Sequence, residues 1–141
     1  MELKTVLRVD KNPNGYGHIG YEHFSFYFKK GTEELAKKMS LDILSLNKKK
    51  IGLWVKTNNL NYKFSLFNGD EIEIYSRFTD IGSTIVTMQQ IMEKDKLVIA
   101  TSKTEFYFIN LPKIRLIRVP KDISEKLKED AVYVEHFHKN S

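Results

Sequence analysis

The chain has 141 residues, no cysteine and a formal net charge of +5. This length is enough to bury one hydrophobic core but too short for two ordinary domains, so we expect a single domain. The lack of cysteine excludes disulfides, zinc–thiolate sites and a cysteine nucleophile.

The N-terminal residues alternate between charged and apolar types and lack the apolar run of a signal peptide. No stretch approaches the roughly 18 consecutive apolar residues of a membrane span. We therefore expect a cytoplasmic protein with no membrane partner. The alternation over residues 2–10 predicts a first strand. A loop should follow, because residues 12–17 contain two glycines, two asparagines and one proline.

A helix is predicted over residues 21–39, where apolar residues recur at spacings of three, four and seven positions. Gly31 lies inside this helix, where glycine costs about 1 kcal/mol relative to alanine. We expect Gly31 to mark a close approach of the helix to a sheet, and the helix to form the centre of the core. The residues of its buried stripe are Tyr21, Phe24, Phe28, Thr32, Leu35, Ala36 and Met39.

The lysines at residues 48–50 form the densest basic cluster of the chain. Because they stand just before an apolar run, we expect them to lie in a solvated loop. The alternative is that they bind the phosphates of a nucleotide-bearing ligand such as coenzyme A. Residues 51–64 then hold two alternating apolar runs separated by polar residues 56–59. This pattern predicts one long strand with a bulge near the asparagines.

Asn68-Gly69-Asp70 predicts a hairpin turn into a strand over residues 71–78. Another turn at residues 81–83 leads to two further strands, predicted over residues 83–93 and 97–109. The last strand places small side chains on one face, which we expect to receive the helix. These small residues are Ala100, Ser102 and Thr104.

One helix inserted after the first strand and followed by consecutive antiparallel strands resembles the hotdog fold. That fold is of the α+β class, with a long central helix wrapped by a five- to six-stranded antiparallel sheet. The residues make the resemblance more specific. Hotdog acyl-CoA thioesterases of the 4-hydroxybenzoyl-CoA type carry an Asp, two residues, Gly-His-(Val/Ile) and then aromatic residues at the helix. This sequence matches the pattern with Gly17-His18-Ile19, Phe24 and Tyr27-Phe28. Further along the chain, the family has a Tyr followed by a Gly-Asp pair, which is similar to Tyr62 with Gly69-Asp70.

The resemblance implies an enzyme that hydrolyses an acyl-CoA thioester to a free acid and coenzyme A. It implies no cofactor apart from the coenzyme A of the substrate, no metal, and a homo-oligomer with sites between two subunits. Residues 1–120 would form the hotdog domain, and residues 121–141 a C-terminal extension with a short helix and a tail. The implied substrate-binding residues are Gly17, Ile19, Tyr21, Phe24, Asn59 and Tyr62.

Asn14 stands where this family has its catalytic aspartate. An amide does not ionise in this range, so it can be neither a nucleophile nor a general base, although it can orient a water or bind the thioester oxygen. Asp10 is the alternative carboxylate if the loop carries an insertion. A third option, found in another branch of the family, is a carboxylate on the helix. The candidates are Glu22, Glu33 and Glu34, and the alternative interpretation is that they form a solvated helix face.

The segment from Gly17 to Gly20 leads into the helix start, whose free N–H groups can polarise a thioester carbonyl. His18 could shuttle a proton near neutral pH, or be a loop histidine bonded to backbone. His23 could cap the helix or pack against it. His136 and His138 lie in the C-terminal tail and receive no ligand role.

Three alternatives stay open. A hotdog domain could bind acyl-CoA or an acyl carrier without hydrolysis, which Asn14 favours, or act as a hydratase or dehydratase. A small basic nucleic-acid module is disfavoured, because strand alternation puts Tyr107 on the face opposite Phe106 and Phe108. We therefore expect no nucleic-acid partner.

Overall fold

The computed structural model describes residues 2–10 and 17–130. No helix in these two ranges is both long and apolar enough to cross a membrane. In chain order the elements are β1 (Leu3–Arg8), β2 (His18–Ile19), a 3₁₀ turn (Tyr21–His23), α1 (Phe24–Lys38), α2 (Ile43–Lys48), β3 (Ile51–Tyr62), β4 (Leu66–Phe67), β5 (Glu71–Ile81), β6 (Ile85–Lys94), β7 (Leu97–Asn110), β8 (Arg115–Ile117) and α3 (Lys121–Asp130).

The main sheet has six strands, all antiparallel, in the order β1-β5-β6-β7-β3. The sixth strand, β8, pairs with the last three residues of β7, which follow the part of β7 that pairs with β6. The strands β2 and β4 form a separate two-stranded sheet. Helix α1 packs on one face of the main sheet, over β1, β5 and β6. The predicted α+β hotdog architecture is confirmed.

Gly31 lies where α1 crosses the sheet, as predicted. A β-carbon at this position would lie 2.9 Å from Ile74 Cγ2, 2.9 Å from Ser76 Oγ and 3.0 Å from Gln90 Nε2. Gln90 Nε2 also donates to the carbonyl of Phe28 at 2.9 Å and to Ser76 Oγ at 3.0 Å, which ties the helix backbone to β5 and β6. Glycine is needed here because the helix backbone touches the side chains of two strands.

The buried stripe of α1 differs from the predicted one at three residues: Tyr27 is buried as well, Thr32 is only half-buried, and Tyr21 is exposed. Phe24, Phe28, Leu35 and Met39 are at most 3% exposed, whereas Tyr21 is 72% exposed. Tyr21 belongs to the 3₁₀ turn, whose three residues per turn break the phase of the α-helical stripe.

The small face of β7 meets the helix at Ala100. Ala100 shares a hydrophobic cluster with Phe24 and Phe28. Ser102 and Thr104 accept hydrogen bonds from Asn58 on the neighbouring strand β3. Both hydroxyl residues are buried on the same face of β7 as Ala100, and their predicted contact with the helix stays a prediction.

Asn68-Gly69-Asp70 forms a turn, with Gly69 at a φ of +91°, but the predicted hairpin is wrong. The strand before the turn, β4, pairs with β2, and the strand after it, β5, pairs with β1. The turn therefore connects the two sheets. The bulge predicted in β3 is confirmed, because the register against β7 shifts between Val55 and Thr57.

Helix α2 is an element that the apolar pattern did not predict. Asp42 caps its start by accepting hydrogen bonds from the backbone and side chain of Ser45, which lower the pKa of Asp42. Lys48 is the last residue of α2, so the predicted lysine loop begins one residue later. Lys49 pairs with Asp122 at 3.1 Å on the surface.

Helix α3 packs against the main core. Its Ile123 and Leu127 belong to the same hydrophobic cluster as Leu35, Met39 and Phe78. The division of the chain at residue 120 stays a prediction, and residues 131–141, with His136 and His138, lie outside the described ranges.

Candidate active site

His18 is held by the small sheet. It pairs with Phe67 in the register of β2 and β4, and the two ring centroids are 4.7 Å apart. The neighbouring pair, Ile19 and Leu66, is buried at 3% and 0% exposure. Two buried aliphatic side chains thus anchor a two-residue strand that would be too short to hold its place alone.

An open cleft of about 410 Å³ lies between this strand and the end of β3. Ile19 and Phe24 are buried and form its apolar floor, while Tyr21 and Tyr62 are exposed at its rim. Tyr62 meets Phe24 edge-on at 5.0 Å between centroids, and Tyr21 at 6.0 Å, an arrangement that aromatic rings favour. The full lining is His18, Ile19, Gly20, Tyr21, Phe24, Tyr62, Lys63, Phe64 and Ser65.

The 3₁₀ turn that runs into α1 begins at this cleft. Gly20 precedes the turn, and within the described ranges no side chain caps it. Gly20 and Tyr21 both line the cleft, so the positive end of the helix and its first N–H groups lie beside it. This end of the helix is suited to stabilise negative charge on a bound carbonyl oxygen.

Of the three helix glutamates, Glu22 lies next to the cleft. Its carboxylate folds back so far that a β-carbon at position 20 would collide with Oε1. The same oxygen is 3.8 Å from Nε2 of His23. Glu34, in contrast, accepts a hydrogen bond from Thr5 on β1 at 2.9 Å, and Glu33 is exposed.

Asp10 is tethered outside the cleft. The hydroxyl of Tyr27 donates to Asp10 Oδ1 and accepts from the backbone N–H of Asp10, both at 3.3 Å. Tyr27 is only 2% exposed, so it attaches the end of β1 to the buried face of α1. Gly17, at a φ of +84°, precedes His18 but does not line the cleft. Asn14 lies outside the described ranges.

Asn59 does not line the cleft either. After the bulge, β3 directs Asn58, Leu60 and Tyr62 towards the helix, opposite buried residues of β7, and directs Asn59 to the other face, opposite Lys103. Asn58 Nδ2 donates to Ser102 Oγ at 3.2 Å and to Thr104 Oγ1 at 2.7 Å. Within one chain Asn59 is therefore turned away from the cleft, and its role in substrate binding stays a prediction.

Four of the six predicted substrate-binding residues line the cleft, together with His18. Gly20 belongs to the predicted segment at the helix start, and the lining residues that sequence reasoning missed are Lys63, Phe64 and Ser65. The signal that could have found these three residues is the alternation of apolar and polar residues, which continues from Tyr62 to Phe64. Lys63 brings a cation to the rim, where it could pair with a phosphate. Within residues 2–10 and 17–130, no group of three or more His, Asp or Glu is arranged to hold a metal ion.

The sequence of residues 10–127 matches the family model of the thioesterase-like superfamily. The chain belongs to this superfamily. The resemblance to hotdog thioesterases is thereby confirmed at the level of the family.

Solved structures agree on the fold. A hypothetical protein from Thermus thermophilus is 16% identical, with a TM-score of 0.83 over 94% of this chain and 100% of its own. A predicted thioesterase from Bacillus stearothermophilus is 21% identical, with a TM-score of 0.82 over 95% and 99%. A DHNA-CoA thioesterase from Staphylococcus aureus is 17% identical, with a TM-score of 0.80 over 94% and 97%. No curated protein matches the sequence.

Proposed function

We propose that this protein is an acyl-CoA thioesterase, which hydrolyses the thioester to a free acid and coenzyme A. The observation that carries the proposal is the cleft at the start of α1, where His18 and a helix end that no described side chain caps meet an apolar floor. Membership of the thioesterase-like superfamily supports the same reaction class.

The chemistry asked of this cleft is modest. The thioester carbonyl oxygen would accept hydrogen bonds from N–H groups at the helix start, in an interaction that strengthens as the oxygen gains negative charge. Water would attack the carbonyl carbon, and the carbon–sulfur bond would break to release a thiolate. In this proposal Asn14 orients the water or donates to the thioester oxygen, His18 takes the proton of the water and passes it to the thiolate, and Asp10 is the alternative carboxylate. The acyl group would lie on Ile19 and Phe24.

A second candidate is a hotdog protein that binds acyl-CoA or an acyl carrier without hydrolysing it. Asn14 favours this candidate, because the family position carries an amide in place of a carboxylate. Both candidates use the same cleft, so only turnover separates them.

The deciding experiment is thiol release from a panel of acyl-CoAs, with binding measured in parallel. We expect the wild type to turn over at least one acyl-CoA. Asn14→Ala should lower kcat by about 100-fold, the effect of losing one oxyanion-hole donor, with a smaller change in binding. Asn14→Asp restores the family's carboxylate and should introduce a pH dependence set by its ionisation.

Asn61→Ala is the matched control, because Asn61 lies on the outer face of β3 opposite Thr101. Asp10→Asn tests the rival acid in the same assay. If Asn14→Ala and Asp10→Asn both keep the wild-type rate, the placement of the catalytic groups in this loop is wrong. If the wild type binds acyl-CoA without releasing thiol while Asn14→Asp releases it, the binding protein is the correct candidate.

A further inference from the structure

Asp70 has both carboxylate oxygens engaged beside the candidate site. Oδ2 accepts the backbone N–H of Phe67 at 2.9 Å, and Oδ1 binds Nζ of Lys94 at 2.7 Å. The Asp70 side chain is only 11% exposed. Its hydrogen bond raises the pKa of Lys94. A carboxylate this enclosed holds the backbone of β4 against the end of β6.

The same turn holds the end of β1. The backbone N–H of Val9 donates to the carbonyl of Asp70, and that of Gly69 donates to the carbonyl of Val9, both at 2.7 Å. Val9 is 1% exposed, and the next residue, Asp10, is tethered to Tyr27. Residues 67–70 therefore fix the chain just after the end of β1, at Val9.

The chain at Gly17 and His18 is attached to the same place. Gly17 leads directly into β2, where His18 pairs with Phe67 and packs on its ring. A β-carbon at Gly17 would lie 3.9 Å from Cδ1 of Phe67. Val9 and Gly17 thus both depend on the short stretch whose geometry Asp70 holds.

We propose that Asp70 is a positioning residue, which sets the place of His18, and of Val9 and Gly17 in the chain before it, through its bonds to Phe67 and Lys94. The inference rests on the proposed function for its catalytic consequence, but not for its structural one. A displacement of about 1 Å in a catalytic group can cost as much as 100-fold in rate, so the effect should reach turnover.

The test compares Asp70→Ala, Asp70→Asn and Lys94→Met with the wild type. The measurements are kcat, KM and the ring resonances of His18 in NMR spectra, assigned with His18→Gln. Asp70→Ala should lower kcat by about 10- to 100-fold with little change in KM. It should also move the His18 resonances, because the Phe67 ring shifts. Asp70→Asn keeps an acceptor for the Phe67 N–H and should recover most of the loss, and Lys94→Met should have the smaller effect.

Asp122→Ala is the matched control, since Asp122 also pairs with a lysine but on the exposed surface. It should leave both readouts unchanged, and the His23 resonances serve as an internal reference. A folded Asp70→Ala protein with wild-type kcat and wild-type His18 resonances would overturn the inference. So would a loss of kcat without any change at His18.

Two complications have separate remedies. If Asp70→Ala does not fold, Phe67→Leu carries the test, because it removes the ring under His18 and keeps the backbone bonds of β4. It should shift the His18 resonances and lower kcat, and an absence of both changes would overturn the inference. If the wild type hydrolyses no acyl-CoA, the proposed function fails, while the His18 resonances in Asp70→Ala still decide the positioning role.

Discussion

Tyr75 lies on the outer face of β5, beside a charged pair. Its hydroxyl donates to Oε2 of Glu73, and the same oxygen binds Nζ of Lys4 at 3.3 Å. Burial, and then the hydrogen bond to Glu73, raise the pKa of the Tyr75 phenol above its ordinary value of 10.0. The folded protein therefore holds this proton more tightly than the unfolded chain does.

This difference predicts a loss of stability at alkaline pH. Below about pH 10 both states bind the proton, so the contribution of Tyr75 is fully present. As the pH rises further, the unfolded chain loses the proton first, and the free energy of unfolding falls. Tyr75→Phe should therefore flatten the decline of Tm between about pH 10 and 12. Thermal unfolding followed by circular dichroism measures this, with the exposed Tyr21→Phe as control. Parallel Tm profiles for wild type and Tyr75→Phe would contradict it.

At the scale of elements, the contact between α1 and the sheet depends on one missing side chain. Gly31 leaves room for Ser76 and Gln90, and Gln90 in turn binds the carbonyl of Phe28 in the helix. A polar side chain from the sheet thus satisfies a helix carbonyl in the buried interior. Any larger residue at position 31 must displace this arrangement.

Gly31→Leu should lower the free energy of unfolding. Overpacking costs roughly 1–3 kcal/mol or more, whereas the gain in helix propensity is about 1 kcal/mol. The sign of the net change therefore reports how tightly the position is packed. Chemical denaturation measures it, with Glu33→Leu on the exposed side of the same helix as control. An unchanged or raised midpoint for Gly31→Leu would show that the sheet can yield at this point.

At the scale of the whole molecule, the main sheet ends in a long edge strand. β3 spans 12 residues and pairs only with β7 within the described ranges. Trp54 and Val55 on this strand are 45% and 59% exposed. A long edge with exposed apolar side chains invites pairing with another chain.

We therefore expect a homo-oligomer, a dimer or a dimer of dimers, as the family resemblance implies. Light scattering at micromolar concentration should give at least twice the chain mass of 16.5 kDa. Val55→Lys should shift the protein towards the single-chain mass, because a charge on an edge strand opposes pairing. Asn47→Lys, at an exposed position of α2, is the charge-matched control. A wild-type mass near 16.5 kDa would contradict this expectation and the idea of sites shared between subunits.

The sequence alone determined the features that depend on neighbours in the chain. The period of three and four located α1 and its buried residues, and Gly31 marked the close approach to the sheet. The change of alternation between Val55 and Leu60 predicted the bulge in β3. The family resemblance singled out His18, Ile19 and Tyr62, which lie on the two sides of the cleft. Each of these signals lies within a few residues of the feature that it predicts.

Only the tertiary structure decided which strands pair and which face each side chain takes. Strand pairing joins β2 to β4 across more than 40 residues of sequence, so no local pattern could place Phe67 against His18. The same holds for the contacts of Asp70 with Val9 and Lys94. Asn58 and Asn59 show the limit most directly. Alternation places them on opposite faces, but only the register against β7 determines that Asn58 faces the helix, since a shift of one residue would exchange them.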